Sequence, residues 1–188
     1  METNYDNQIQ CSADELFERM EQKMSSHEVD RLRSAFEFAR EAHSPQKRKS
    51  GEPYIIHPVC VARIVAEELE LGADPIIAAF LHDVVEDTDI SFADLEQMGF
   101  QPEVLEALRL LTHDKAVAYQ DYVQALSVNP VARKVKMADL QHNMDITRRV
   151  NDPNVREPKL KYVAALKMLR ALEPQPVDYS IPRWKIDD

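Results

Sequence analysis

Three glycines, Gly51, Gly72 and Gly99, are all that punctuate 188 residues, where an average protein carries about 7%. No two of them lie close enough to build G-x-G-x-x-G or a P-loop, so backbone phosphate cradles of that kind are excluded. A sheet protein with many tight turns is equally short of the residue such turns need. What remains is a chain made of helices.

Capping signals and apolar spacing agree. Ser12-Ala-Asp-Glu15 reads as a capping box ahead of Leu16, Phe17, Met20 and Met24, and Ser25 with Glu28 repeats it before Val29, Leu32, Phe36, Ala39 and His43. That second helix stops ahead of Pro45. Pro58 suits a first helical position and sets His57 at or near an N-cap, with Val61, Ile64, Val65 and Leu69 inward and Gly72 at the end. Asp74-Pro75 opens the next helix, read as running on through Phe80 to Thr88. Further helices are expected from Ser91 to Gly99, from Pro102 through Leu111, over roughly 117–127, from Asn129-Pro130 and from Glu157-Pro158. The expected fold is all-α, one domain of about eight or nine helices. Residues 1–26 read as an N-terminal helical extension, 27–172 as the domain, and 173–188 as an extended tail holding Pro174, Pro176 and Pro182.

Composition narrows the function. A net charge of −10 disfavours a nucleic acid polymer as partner, leaving small anionic ligands where cations cluster. Two cysteines, Cys11 and Cys60, supply neither zinc spacing nor a disulfide framework. With no signal-peptide pattern and no membrane-length apolar run, a cytoplasmic protein away from membranes is expected.

The segment Phe80-Leu-His-Asp-Val-Val-Glu-Asp-Thr88 carries the chemistry. Glu86 lies four residues past His82 and Asp87 four past Asp83, so on one helix the pairs would stack about 6 Å apart. Three acids in five positions repel unless a cation sits among them. Two readings fit: a solvated acidic helix end, or a divalent metal on His82 and Asp83 with Glu86 and Asp87 placed to handle its water. Two other places add weight to the second. His57 starts the preceding helix, and Val135, Asp139 and Asn143 share one stripe of a later helix, interrupting an apolar face with an acid. Two histidines and two aspartates with open positions suit Mn²⁺ or Fe²⁺ better than a closed zinc site.

Arg48-Lys-Ser-Gly-Glu-Pro-Tyr-Ile-Ile-His-Pro58, Leu81-His-Asp-Val-Val-Glu-Asp-Thr88 and Val135-Lys-Met-Ala-Asp-Leu-Gln-His-Asn-Met144 together resemble the HD-type hydrolase domain of RelA/SpoT-family alarmone enzymes, above all the small stand-alone hydrolases. The resemblance covers roughly residues 27–172. It implies an all-α HD fold and a Mn²⁺-dependent enzyme that removes the 3′-pyrophosphate of guanosine 3′,5′-bispyrophosphate (ppGpp). By position, His57, His82, Asp83 and Asp139 match the family's metal ligands, Glu86 and Asp87 its catalytic acids, Arg48 and Lys49 its nucleotide contacts, and Asn143 a polar pocket residue. Lys47 extends the basic triplet Lys47-Arg48-Lys49, and Lys136, one turn before Asp139, is a further phosphate contact. The third motif departs from the common Ala-Asp-Arg-Leu-His-Asn-Met-Arg-Thr: Leu140-Gln141 stands for Arg-Leu, and Asp145-Ile146 for Arg-Thr. That change in phosphate and base contacts keeps open another phosphorylated nucleotide, such as NADP(H) or a nucleoside phosphate, and a module that binds without hydrolysing. The oligomeric state, monomer or homodimer, is open.

Other residues read as structural. His113-Asp114 has no acid pair one turn on; His27 and His43 suit packing or capping; His142 points about 100° from Asn143, toward the surface or behind the ligands. Met20, Met24, Met98 and Met168 read as core filler, Tyr119 and Tyr122 as packing, and Trp184 as docking on the domain or on a partner subunit.

Overall fold

The structure, a computed structural model, describes residues 2–48, 51–67, 72–144 and 160–173. They form ten helical segments: α1 (Glu2–Glu21), α2 (Ser26–Ala42), α3 (Ile56–Glu67), α4 (Asp74–Leu81), α5 (Val84–Asp87), α6 (Phe92–Gln97), α7 (Pro102–Leu111), α8 (Tyr119–Leu126), α9 (Pro130–Met144) and α10 (Leu160–Ala171). Among the described residues the one β-type pairing is a single antiparallel bridge, Lys47 with Pro53. No described helix is long and apolar enough to cross a membrane.

The all-α expectation holds because the apolar stripes close on one core. Ile9, Ala13, Leu16, Phe17 and Met20 of α1 meet Val29, Leu32, Ala35, Phe36 and Ala39 of α2. α4 is buried along its whole length from Pro75 to Leu81, as a helix apolar on every side must be. It packs against α2, α3, α7 and α9. Phe80 anchors it, with ring centroids 5.7 Å from Phe36 and 6.4 Å from Phe17.

Several boundaries follow the caps. Ser25 and Glu28 form a reciprocal capping box at α2, and Ser91 with Asp94 forms another at α6. Gly72, with φ +84°, takes the left-handed conformation just before α4.

Three expectations are corrected. Ser12-Ala-Asp-Glu15 does not start a helix: α1 begins at Glu2, because Ile9 already reaches the core and carries the helix upstream. Ser12 Oγ instead accepts from Arg63 Nη1 at 2.8 Å. The segment 80–88 is not one helix: α4 ends at Leu81, and α5 is a separate four-residue turn starting at Val84. Met98 is no core residue, being 61% exposed at the end of α6. The expected Glu157-Pro158 start, Lys49, Leu69, Asp145-Ile146, the tail beyond 173 and Trp184 lie outside the described residues.

Candidate metal centre and nucleotide cavity

The break after Leu81 positions the site. His82 continues the α4 backbone, but Asp83 (φ −103°, ψ −5°) leaves it, and Asp87 N–H returns to Asp83 O at 2.9 Å to start α5. The last carbonyls of a helix lack partners. His82 Nδ1 takes one of them, Ala79 O, at 2.7 Å. A carbonyl only accepts, so Nδ1 carries a proton, and in the neutral ring the lone pair lies on Nε2, facing inward.

Two other helices converge there. α3 brings His57, whose N–H donates to Tyr54 O at 2.9 Å. α9 brings Asp139. His57 Nε2 lies 3.2 Å from Asp139 Oδ1 and 3.5 Å from Asp83 Oδ2. His82 Nε2 lies 3.1 Å from Asp83 Oδ2 and 4.0 Å from Asp139 Oδ1. Ligand atoms of His57, His82 and Asp139 all fall within 4.8 Å of one another, and all three residues are buried. His82 Nε2 is completely buried and makes no hydrogen bond. An orphaned, buried imidazole nitrogen facing the buried carboxylate of Asp139 and the half-buried one of Asp83 is costly without a cation. The donor set therefore suits a divalent metal.

Neighbouring charges hold the two carboxylates in the ionised form a cation needs. Burial works to raise Asp83, but the His82 and His57 imidazoles keep it well below the usual carboxylate range. Burial likewise opposes ionisation of Asp139, and the Lys136 ammonium, with Nζ 2.9 Å from Oδ2, overcomes it. Burial lowers His57. Tyr54 Oη donates to Asp83 Oδ2 at 2.6 Å, and burial, then Asp83, pushes its phenol far up.

The centre opens into a cavity of about 290 Å³. Of the residues matched from sequence, Arg48, His57, His82, Asp83, Glu86, Asp87, Lys136, Asp139 and Asn143 all line it. Glu86 and Asp87 stand exposed there. Asn143 Nδ2 donates to Asp139 Oδ1 at 2.5 Å, so the expected stripe of α9 exists. Lys47 is not brought to the cavity and stays exposed at the bridge to Pro53.

Sequence reasoning missed further residues. His113, read as structural, lines the cavity, and its backbone N–H donates to Glu86 Oε2 at 3.1 Å. Twenty-seven residues separate the two, so no local pattern could show it. Tyr119 and Tyr122 do pack, Tyr122 donating to Leu111 O at 2.5 Å, yet both also wall the cavity with Tyr162 and Lys161 of α10. Lys161 Nζ lies 4.6 Å from the Tyr119 ring centroid. Of the two places expected for His142, the surface or behind the ligands, it takes the second: it is buried, with Nδ1 2.6 Å from His57 Nδ1. Tyr54, three residues before His57, carried a usable local signal. His43 caps α2 as expected, and its ring packs on Tyr54 with centroids 4.9 Å apart.

The HD domain signature matches residues 35–172, which contain every one of these ligand candidates. The chain belongs to the HD-domain family. Among relatives, it is 38% identical over 144 residues to the bifunctional (p)ppGpp synthase/hydrolase SpoT of Escherichia coli K12, covering 69% of this chain and 20% of that protein. It is 35% identical over 154 residues to the guanosine-3′,5′-bis(diphosphate) 3′-pyrophosphohydrolase of Vibrio cholerae, covering 82% of this chain and 21% of the relative. The chain thus spans about a fifth of the length of these curated relatives. A solved structure of a metazoan orthologue of SpoT, described as hydrolysing ppGpp, superposes with a TM-score of 0.59 at 29% identity, covering 78% of this chain and 84% of that one.

Proposed function

We propose that this HD domain is a Mn²⁺-dependent phosphohydrolase that converts (p)ppGpp to GDP or GTP plus pyrophosphate. The observation that carries the reading is the convergence of His57, His82, Asp83 and Asp139, from three stretches of chain, on one point beside a cavity whose walls include Arg48, Lys136 and Lys161. The names of the relatives support the substrate class. His57, His82, Asp83 and Asp139 would hold the ion, and Mn²⁺ suits mixed imidazole and carboxylate donors with open positions. When bound, a divalent ion supplies positive charge for the phosphate oxygens and makes water a nucleophile at neutral pH.

The chain's own residues do the rest. Arg48 and Lys136 offer cations to the diphosphate, and Asn143 and Lys161 stand on the same cavity wall. The water oxygen bonds to phosphorus as the bond from phosphorus to the 3′ oxygen breaks. Glu86, with Oε2 held by the His113 N–H, keeps Oε1 to take the water's proton. Asp87 assists beside it, and the 3′ oxygen leaves with a proton from solvent. Residues 27–172 form the hydrolase unit in this reading, and Lys49, next to Arg48 in sequence, would be a further nucleotide contact.

One observation favours a second substrate. Leu140, which stands where the related motif has arginine, lines the cavity and is almost fully buried. A wall without that cation suits a ligand carrying fewer phosphate charges, such as NADP(H) or a nucleoside phosphate. A panel of ppGpp, pppGpp, NADPH and nucleoside monophosphates, assayed with Mn²⁺, separates the readings. Preferred release of pyrophosphate from ppGpp supports the first. Preference for a substrate lacking a 3′-diphosphate supports the second, and binding of ppGpp without hydrolysis contradicts both.

A further inference from the structure

We propose that His142 is a positioning residue that fixes the tautomer of His57, accepting a hydrogen bond from the His57 Nδ1–H so that Nε2 is presented to the metal as a lone pair. The inference rests on the metal reading above and concerns a residue outside its ligand set.

The two Nδ1 atoms are 2.6 Å apart, and both side chains are buried. The ring centroids lie 4.7 Å apart with planes inclined by 25°. Nitrogens so much closer than the centroids mean that the rings meet at their edges, nitrogen to nitrogen, rather than face to face. Such a contact holds one proton. Two lone pairs at this distance repel, and two N–H groups collide.

The opposite edge of His57 decides which ring owns that proton. Nε2 faces Asp139 Oδ1 at 3.2 Å and Asp83 Oδ2 at 3.5 Å, the side from which an ion would be held. A ligating nitrogen carries no proton, so a neutral His57 must carry its proton on Nδ1. His142 Nδ1 is then the acceptor, and the proton of His142 sits on its Nε2.

His82 needs no such help. Its Nδ1 is paired with a backbone carbonyl, which can only accept. His57 faces a group able to donate or accept, so its ligating form depends on how His142 is held. α9 supplies both Asp139 and, three residues on, His142. One rigid helix thus positions a carboxylate in front of His57 and an acceptor behind it.

The test uses the full chain labelled with ¹⁵N-histidine and loaded with Zn²⁺ as a diamagnetic probe. Imidazole ¹⁵N shifts separate protonated from unprotonated ring nitrogens. The expected spectrum has His57 protonated at Nδ1 and His142 protonated at Nε2; a proton on His142 Nδ1 in the loaded protein overturns the proposal. A second arm measures Mn²⁺ binding by calorimetry in His142→Gln, whose amide oxygen can accept, and in His142→Phe, which cannot. Gln should bind within about threefold of wild type and Phe roughly 10–100-fold more weakly. Equal binding by Phe and wild type, or equal loss in both variants, overturns the tautomer role. If wild type binds neither Mn²⁺ nor Zn²⁺, the metal reading itself fails and this inference falls with it. Wild-type binding with the wrong tautomer sinks the inference alone.

Discussion

Lys136 Nζ lies 2.9 Å from Asp139 Oδ2, while Oδ1 of the same buried carboxylate, which accepts from Asn143 Nδ2, faces His57 Nε2 at 3.2 Å. Burial would lower the lysine and raise the aspartate; each holds the other charged instead. Removing one partner of such a pair leaves an uncompensated buried charge. Lys136→Met should cost on the order of 3 kcal/mol in chelator-treated protein, and clearly less with saturating Mn²⁺, which would supply the missing positive charge. Urea denaturation under both conditions checks this; an equal loss in each would argue that no cation sits against Asp139.

Glu86 stands exposed at the cavity, fixed by the His113 N–H and outside the cluster of ligand atoms. Glu86→Gln should keep Mn²⁺ affinity while turnover of ppGpp falls roughly 10²–10³-fold. Full turnover in that variant removes Glu86 from its role as base.

Burial pushes the His82 imidazole down, but Asp83 and Asp139 carry it up to about 9. A pKa raised on folding stabilises fully below the unfolded value of about 6.5 and is lost as pH climbs through the folded one. Chelator-treated protein should therefore lose stability between about pH 6.5 and 9. Ion binding runs the other way, because the proton on His82 must leave before Nε2 can ligate. Apparent Mn²⁺ affinity should rise over the same range with proton release, read by calorimetry in buffers of differing ionisation enthalpy. Affinity independent of pH there would exclude His82 as a ligand.

Phe80 ties α4 to α1 and α2 through Phe17 and Phe36, and the helix it anchors runs directly into His82 and Asp83. Phe80→Ala should destabilise by about 3–5 kcal/mol in urea titrations. Ion binding should weaken even at temperatures where the variant is still folded.

Much of this was legible in sequence where local chemistry decides the outcome. Ser25 and Ser91 cap real helices, Pro102 opens α7, and Val135, Asp139 and Asn143 do share a face of α9. What escaped depends on distant partners. The turn at His82-Asp83 carries no glycine or proline, and it exists because Ala79 O finds the His82 ring and Asp87 N–H finds Asp83 O. Ser12 looks like a cap but lies mid-helix, since Ile9 has a core to enter. The contact of His113 with Glu86 spans 27 residues, and the sequence left His142 between two places because its partner, His57, is 85 residues away. Periodicity within one helix cannot report such contacts.

The most direct test of the account is metal stoichiometry paired with ppGpp turnover, in wild type and in Asp139→Asn. One Mn²⁺ per wild-type chain, pyrophosphate release abolished by chelation, and loss of both in the variant are the expected results. Wild-type protein that releases pyrophosphate just as fast after complete removal of divalent ions would contradict it.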